Sequence, residues 1–229
     1  MAKLYGIGVG PGDPELLTLK AMRIIKESDV IAVPGTDAKD TVAYKIVVQA
    51  YPELADKQLI ALPMPMTKDH KKLEESHDHA AELVCDMLKS GKQVAFLTLG
   101  DPTVYSTYLY VHKRVVQAGC EAEIISGITS FCAVAARLNQ GLVEKAEPLH
   151  VIPASYQIED ALKLSGTKVL MKAGKQIGNV KQILKETKAE AVMIENCGMP
   201  DEKIYNGVDE IPENAGYYSL IIVKENASI

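Results

Sequence analysis

No apolar run in the sequence approaches the ~20 residues needed to cross a bilayer. The N-terminus shows no cleavable apolar segment either, because Met1-Ala2-Lys3 leads directly into a strand pattern. A secretory signal is therefore not expected, and the cytoplasm is the expected compartment. Cysteine occurs four times, as Cys85, Cys120, Cys132 and Cys197, with no CxxC spacing. This argues against a disulfide framework or a zinc site and predicts reduced, mostly buried thiols. Arginine is scarcer still: only Arg23, Arg114 and Arg137 occur, none in a basic block. At a formal net charge of −5, nothing favours a nucleic-acid backbone as partner. A polyanionic ligand would need positive charge supplied locally by a pocket. Short-period repeats and low-complexity segments are also missing.

Several catalytic signatures are absent. There is no GxSxG elbow and no GxxxxGK[ST] phosphate loop. His77 and His79 lie two apart on a predicted helix, so they point in different directions and make a poor metal pair. They read as a solvated helix face, and His112 and His150 have no cysteine or carboxylate at ligand spacing. No metal centre is expected. Gly8, Gly10 and Gly12 give G-x-G-x-G with Pro11 inside the loop, not the G-x-G-x-x-G of a dinucleotide fold. The carboxylate that would hold a ribose should end the second strand, but that strand closes Ala32-Val33-Pro34-Gly35. Both nucleotide-phosphate readings are weak.

What is present is an ordinary globular composition, 47% hydrophobic over 229 residues with a mean hydropathy of +0.01. That is enough chain for one large domain or two modest ones. Periodicity gives strands at 3–9, 30–33, 59–62, 94–99 and 123–125, with helices over 14–27, 41–50, 71–89, 103–117 and 130–138. Leu17, Ala21, Ile24 and Ile25 form an i, i+4, i+7, i+8 stripe on the first helix. Beyond His150 the texture changes, with strands at 151–153, 168–172, 191–195 and 217–224 and helices at 158–164 and 177–185. Gly141 and Pro148 punctuate the polar stretch between the halves. The expected layout is two α/β domains, residues 1–140 and 149–229, joined by a linker at 141–148.

A strand–turn–helix signature occurs twice. One strand runs into Gly10-Pro11-Gly12-Asp13-Pro14 and another into Gly100-Asp101-Pro102-Thr103. Glycine permits positive φ or a close ligand, aspartate can cap the new helix, and proline suits its first position. With Thr129-Ser130 after a third strand, the turns suggest a crevice at the carboxyl edge of one sheet. Backbone amides and small polar groups there would suit a neutral or zwitterionic ligand with adenosine and amino-acid parts.

The segment Leu4-Tyr5-Gly6-Ile7-Gly8-Val9-Gly10-Pro11-Gly12-Asp13-Pro14-Glu15-Leu16-Leu17-Thr18 resembles the opening motif of the tetrapyrrole methylase family. Leu97-Thr98-Leu99-Gly100-Asp101-Pro102-Thr103-Val104-Tyr105-Ser106-Thr107-Tyr108 is similar to its second motif, and Ser126-Gly127-Ile128-Thr129-Ser130-Phe131-Cys132-Ala133-Val134-Ala135-Ala136 to its third. Both are spelled like the branch that methylates C-20 of precorrin-2 or cobalt-factor II (cobalt-sirohydrochlorin). The resemblance implies two α/β domains with S-adenosyl-L-methionine in the cleft between them, S-adenosylhomocysteine as product, and a tetrapyrrole substrate of cobalamin biosynthesis. It also implies a homodimer. Carried over, it puts Pro11, Leu99, Gly100, Asp101, Val104, Tyr105, Thr129, Ser130 and Met171 at the cofactor.

Two departures bear on the reading. Cys197 stands at the glycine position of a Glu-Asn-Gly turn. Val33-Pro34-Gly35 lacks the aspartate that relatives methylating uroporphyrinogen III use in proton transfer, which argues against that branch and leaves the base unassigned. Same-fold methylases of another tetrapyrrole position, of diphthine or of ribosomal RNA are rivals, as is a non-catalytic module binding adenosine metabolites. Acidity argues against RNA, and the motif spellings argue against both macromolecular substrates.

Overall fold

The computed structural model describes residues 2–153 and 158–224. The chain divides into two compact units, Met1–Thr129 and Ser130–Ile229. In the first unit, β1 (Lys3–Gly8), β2 (Val30–Pro34), β3 (Gln58–Leu62), β4 (Val94–Thr98) and β5 (Glu121–Ile125) form one parallel sheet in the order β3-β2-β4-β1-β5. Parallel strands are covered on both faces, so they need apolar side chains in both directions. Val30–Val33 and Val94–Leu97 meet that need and are fully buried.

The helices sort by face. Helices α1 (Leu19–Glu27) and α2 (Val42–Ala50) pack with Ile7, Val9, Ile31, Val33 and Leu97. On the other face α3 (His70–Lys89) and α4 (Tyr108–Gln117) pack with Leu4, Val30, Ala32 and Phe96. Gly6 belongs to this second face, and a Cβ there would overlap the Tyr108 ring. Tyr108 is fully buried and shares a 2.9 Å hydrogen bond with His112 Nδ1. Neighbours β1 and β4 thus send their chains to opposite faces, through α1 and α4. That divergence is the switch point at which an open α/β sheet presents its loops.

The predicted elements are found with shifted starts. The first helix does not begin at Pro14: Asp13 caps a single 3-10 turn, Pro14–Leu16, accepting 2.8 Å from Glu15 N. Thr18 then caps α1, accepting 3.1 Å from Ala21 N. The fourth helix starts at Tyr108, not Thr103, because 103–107 is turn. In each case the Gly-Asp-Pro sequence builds a loop and a later residue starts the helix.

His77 does not lie on a solvated face. It is 4% exposed, with its ring stacked on Tyr110 of α4 at 4.6 Å. Arg114 of α4 reaches back to Asp78 at 2.5 Å and to Glu74, so α3 and α4 are joined by a stack and an ion-pair cluster. Of the thiols, Cys85 is buried, Cys120 and Cys197 are half-buried and Cys132 is exposed. Burial and a neighbouring Cys120 push the Cys85 thiol up to about 11.

In the second unit the sheet is mixed, in the order β6-β7-β10-β8-β9. Strands β6 (Leu149–Pro153) and β7 (Thr167–Met171) are parallel. Strand β10 (Ser219–Lys224) runs antiparallel between β7 and β8 (Glu190–Glu195), and β9 (Lys203–Asn206) closes the edge. The sequence pattern misses β9, a four-residue edge strand with polar ends. Helix α6 (Ile158–Leu162) and helix α7 (Ile177–Glu186) cover one face. Helix α5 (Ser130–Arg137) covers the other, through Val134 and Ala135 against Val169, Ile194, Leu220 and Ile222. The division therefore falls after Thr129, ahead of the expected boundary at 140 and linker at 141–148, because the partners of α5 lie on the second sheet. No described helix is long and apolar enough to cross a membrane.

Burial, then the Arg114 guanidinium, lower the His77 pKa from its ordinary value, against opposing pulls from Glu74 and Asp78. A histidine with a depressed folded pKa favours the unfolded state on protonation. Its contribution is whole above about pH 6.5 and falls as pH drops below that value. Urea unfolding between about pH 7 and 5 should show stability declining with acid, and His77→Phe, which keeps the stack, should flatten the slope. An unchanged slope would remove His77 as a source.

Candidate functional site

The loops after β1, β4 and β5 meet backbone to backbone. Val9 N donates to Thr98 O at 3.0 Å, extending β1 past its last ladder pair. Gly10 and Gly100 then exchange two hydrogen bonds, Gly10 N to Gly100 O at 3.3 Å and Gly100 N to Gly10 O at 2.8 Å. The two Gly-Asp-Pro turns do not stand apart; they are joined. On the other side of β1, a Cβ at Gly8 would lie 2.5 Å from Gly100 O and 2.6 Å from Gly127 N. A Cβ at Gly127 would lie 2.7 Å from Gly8 C. No side chain fits among these three segments, which is why 8 and 127 are glycine. Gly100 is required for another reason, its φ of +70°.

Asp101 lies inside this junction, 8% exposed. Its Oδ1 accepts from Thr103 N at 2.7 Å and from Thr103 Oγ1 at 2.5 Å. Its Oδ2 accepts from Gly127 N at 3.0 Å, across to the β5 loop. Asp101 was expected to cap a helix; it ties two loops together instead. Val104 N donates to Asp101 O at 3.2 Å, and the chain then enters Tyr105 at a φ of +49°. That region costs a bulky residue on the order of 1–3 kcal/mol and marks functional loops. Tyr105 is held there 48% exposed. Below it, Thr98 Oγ1 and Ser106 Oγ share a 2.9 Å hydrogen bond, and Ser106 Oγ accepts from Tyr108 N at 3.2 Å, starting α4.

Seven of the nine residues expected at the cofactor lie on these loops: Pro11, Leu99, Gly100, Asp101, Val104, Tyr105 and Thr129. Pro11 and Gly100 are buried, Leu99 and Val104 half-buried. Thr129 Oγ1 is buried with no hydrogen-bond partner among the described residues. A buried hydroxyl without a partner is unfavourable. Ser130 and Met171 belong to the second unit. Ser130 opens α5, and Met171 ends β7 beside Leu220 and Pro153, packed with the α5 cluster.

At that end of the second sheet, Glu195 does what Asp101 does in the first. It accepts from Gly216 N at 2.6 Å and Tyr205 Oη at 2.8 Å, joining the ends of three chain segments. Asn196 follows at a φ of +53° and Gly198 at +76°, so the turn keeps its left-handed steps with Cys197 between them. Glu202 accepts from Gly198 N at 2.8 Å and from Arg137 Nε at 2.7 Å. All three arginines are already paired: Arg23 with Glu27, Arg114 with Glu74 and Asp78, and Arg137 with Glu202. Among the described residues no cluster of His, Cys, Asp and Glu could hold a metal ion.

Sequence reasoning missed the contact roles of Gly8 and Gly127, and the Thr103 and Glu195 ties. Only Gly127, small and next to the third motif's Thr129, carried a legible signal. The geometry predicts that Gly127→Ala loses about 1–3 kcal/mol of stability, since neighbouring backbone must move. Gly141→Ala, where the nearest atom to a Cβ is 3.7 Å away, should stay within about 0.5 kcal/mol. Urea melts of both variants measure the difference, and equal losses would contradict the packing account.

Residues 3–211 match the profile of Tetrapyrrole (Corrin/Porphyrin) Methylases. A relative from Methanocaldococcus jannaschii, named "Probable cobalt-precorrin-2 C(20)-methyltransferase", is 38% identical over 227 residues, with 97% of this chain and 96% of the relative covered. The "Cobalt-precorrin-2 C(20)-methyltransferase" of Salmonella typhimurium is 30% identical over 233 residues, again with 97% and 96% covered. Among solved structures, a cobalt precorrin-4 methyltransferase matches with a TM-score of 0.76 at 21% identity, covering 97% of this chain and 94% of that one. Uroporphyrin-III C-methyl transferase from Thermus thermophilus, complexed with S-adenosyl homocysteine, matches with a TM-score of 0.74 at 21% identity, covering 98% of each. At those identities the structures establish the fold, and the profile and the near-full-length relatives establish kinship. The chain belongs to the tetrapyrrole (corrin/porphyrin) methylase family.

Proposed function

We propose that this protein is an S-adenosylmethionine-dependent C-methyltransferase that methylates C-20 of a precorrin-2-type tetrapyrrole in cobalamin biosynthesis, with the cobalt-chelated form as substrate. The carrying observation is the 38% identity to the Methanocaldococcus jannaschii relative across nearly the whole of both chains. Pro11, Leu99, Gly100, Asp101, Val104, Tyr105 and Thr129 form the proposed cofactor site on the first unit. A homodimer working in the cytoplasm belongs to the same proposal.

The sulfonium supplies an activated methyl group for displacement by the electron-rich meso carbon, so the chain's work is alignment and exclusion of water. Joined loops suit that work, because backbone groups fixed by Gly10–Gly100 pairing and by Asp101 need no rearrangement at the moment of reaction. The hydroxyl of Thr129 supports the reading as a buried polar group suited to a ligand. A substrate bearing many carboxylates meets a chain whose arginines are paired internally. Lysines and backbone donors are left as its partners. No side chain is assigned as base.

The test is anaerobic incubation with S-adenosylmethionine and cobalt-sirohydrochlorin. One methyl should be added and should be assigned to C-20 by NMR, and the metal-free substrate should turn over more slowly. Absence of product from both substrates would overturn the proposal, and preference for the metal-free form would reverse its cobalt assignment.

A further inference from the structure

We infer that Asp101 serves S-adenosylmethionine as a positioning residue: its carboxylate clips the β4 loop to the β5 loop and does not itself bind the ligand. The inference rests on the cofactor reading above and assigns how one residue of that site works. A carboxylate offers about four acceptor positions. In Asp101 both positions on Oδ1 are filled by Thr103, and one on Oδ2 is filled by Gly127 N. The side chain is buried, so its charge faces this chain's own donors. What the clip holds in register is backbone: Gly100, paired with Gly10 on one side, and the 127–129 segment on the other, which ends in the buried Thr129 hydroxyl.

The same clip accounts for the conformation downstream. Between Gly100 at a φ of +70° and Tyr105 at +49°, the chain makes two left-handed steps within six residues. The Asp101–Thr103 turn fixes the path between them. Among the described residues, what remains between the β4 side and Gly127 without the clip is close backbone packing. Packing sets distance; the hydrogen bond sets the direction in which the Gly127 peptide points.

Asparagine separates the clip from a ligand contact. Asp101→Asn keeps one carbonyl oxygen for Thr103 and turns an amide N–H₂ against the Gly127 N–H, which has then lost its acceptor. The experiment reads two quantities on the full-length protein. Hydrogen exchange followed by NMR reports the Gly127 amide without ligand, and calorimetry reports affinity for S-adenosylhomocysteine. In Asp101→Asn, Gly127 exchange should accelerate and affinity should fall, each by about tenfold to a hundredfold, the range for one lost hydrogen bond to a charged group. The KM for the tetrapyrrole should stay within about threefold, and the amides of β2 should exchange as in the wild type, which general destabilisation of the fold would not allow. Thr103→Val, which removes one exposed donor to the same carboxylate, should show both effects a few-fold and carries the test if Asp101→Asn does not fold. Weakened affinity with unchanged Gly127 exchange would make Asp101 a direct ligand contact and overturn the inference. Faster exchange with unchanged affinity would also overturn it. Failure of the wild-type protein to bind S-adenosylhomocysteine would instead remove the cofactor reading, and this inference with it.

Discussion

The contact on which the rest of the structure depends is between peptide groups, at the place where Gly8, Gly100 and Gly127 pack with no side chain between them. In a parallel sheet the loops after adjacent strands ordinarily diverge with their helices. Here β1 sends its chain to one face and β4 to the other, yet the first residues beyond both strands stay hydrogen-bonded. Missing side chains at 8 and 127 let the β5 loop approach from the far side. The result is a rim of backbone donors and acceptors whose spacing the sheet itself imposes. Little side-chain entropy is spent in forming it.

A rim of peptide groups suits an acidic chain that handles a charged cofactor. Its three arginines are committed to Glu27, to Glu74 with Asp78, and to Glu202, all within their own units. The buried carboxylate of Asp101 works in the same direction, since it satisfies amides and a hydroxyl of its own chain. Glu195 repeats the device in the second unit with a backbone amide and a tyrosine hydroxyl. Each sheet thus uses one carboxylate to fix loops that its strands alone leave separate. The fold shared with other tetrapyrrole methyltransferase structures at about 21% identity is what such local ties are built on.

Most elements were legible because their apolar spacing is strong. The α1 stripe is borne out at Ala21, Ile24 and Ile25, all buried, and the α/β class follows from strands alternating with such helices. The functional loops were legible as motifs but not as structure. Gly-Asp-Pro looks like a helix start, and both aspartates do accept from amides two residues on. Local sequence cannot show that the helix waits for Thr18, or that the second carboxylate oxygen of Asp101 reaches a residue 26 positions away. His77 read as solvent-facing because its neighbours on α3 are polar. It is buried because α4 places Tyr110 over it.

By itself the sequence determined most of the strands and helices, though not the edge strand β9 or where α1 and α4 begin, together with their alternation and the motif-bearing turns, since these follow from side-chain periodicity and backbone preference over a few residues. Tertiary structure decided the rest: which turns touch, which unit owns α5, and what the Asp101 carboxylate accepts. Those outcomes depend on distances between segments far apart in the chain, which no local pattern encodes. A glycine written into a turn shows that a side chain is absent there. Only the folded chain shows that at Gly8 and Gly127 the space is filled by another peptide.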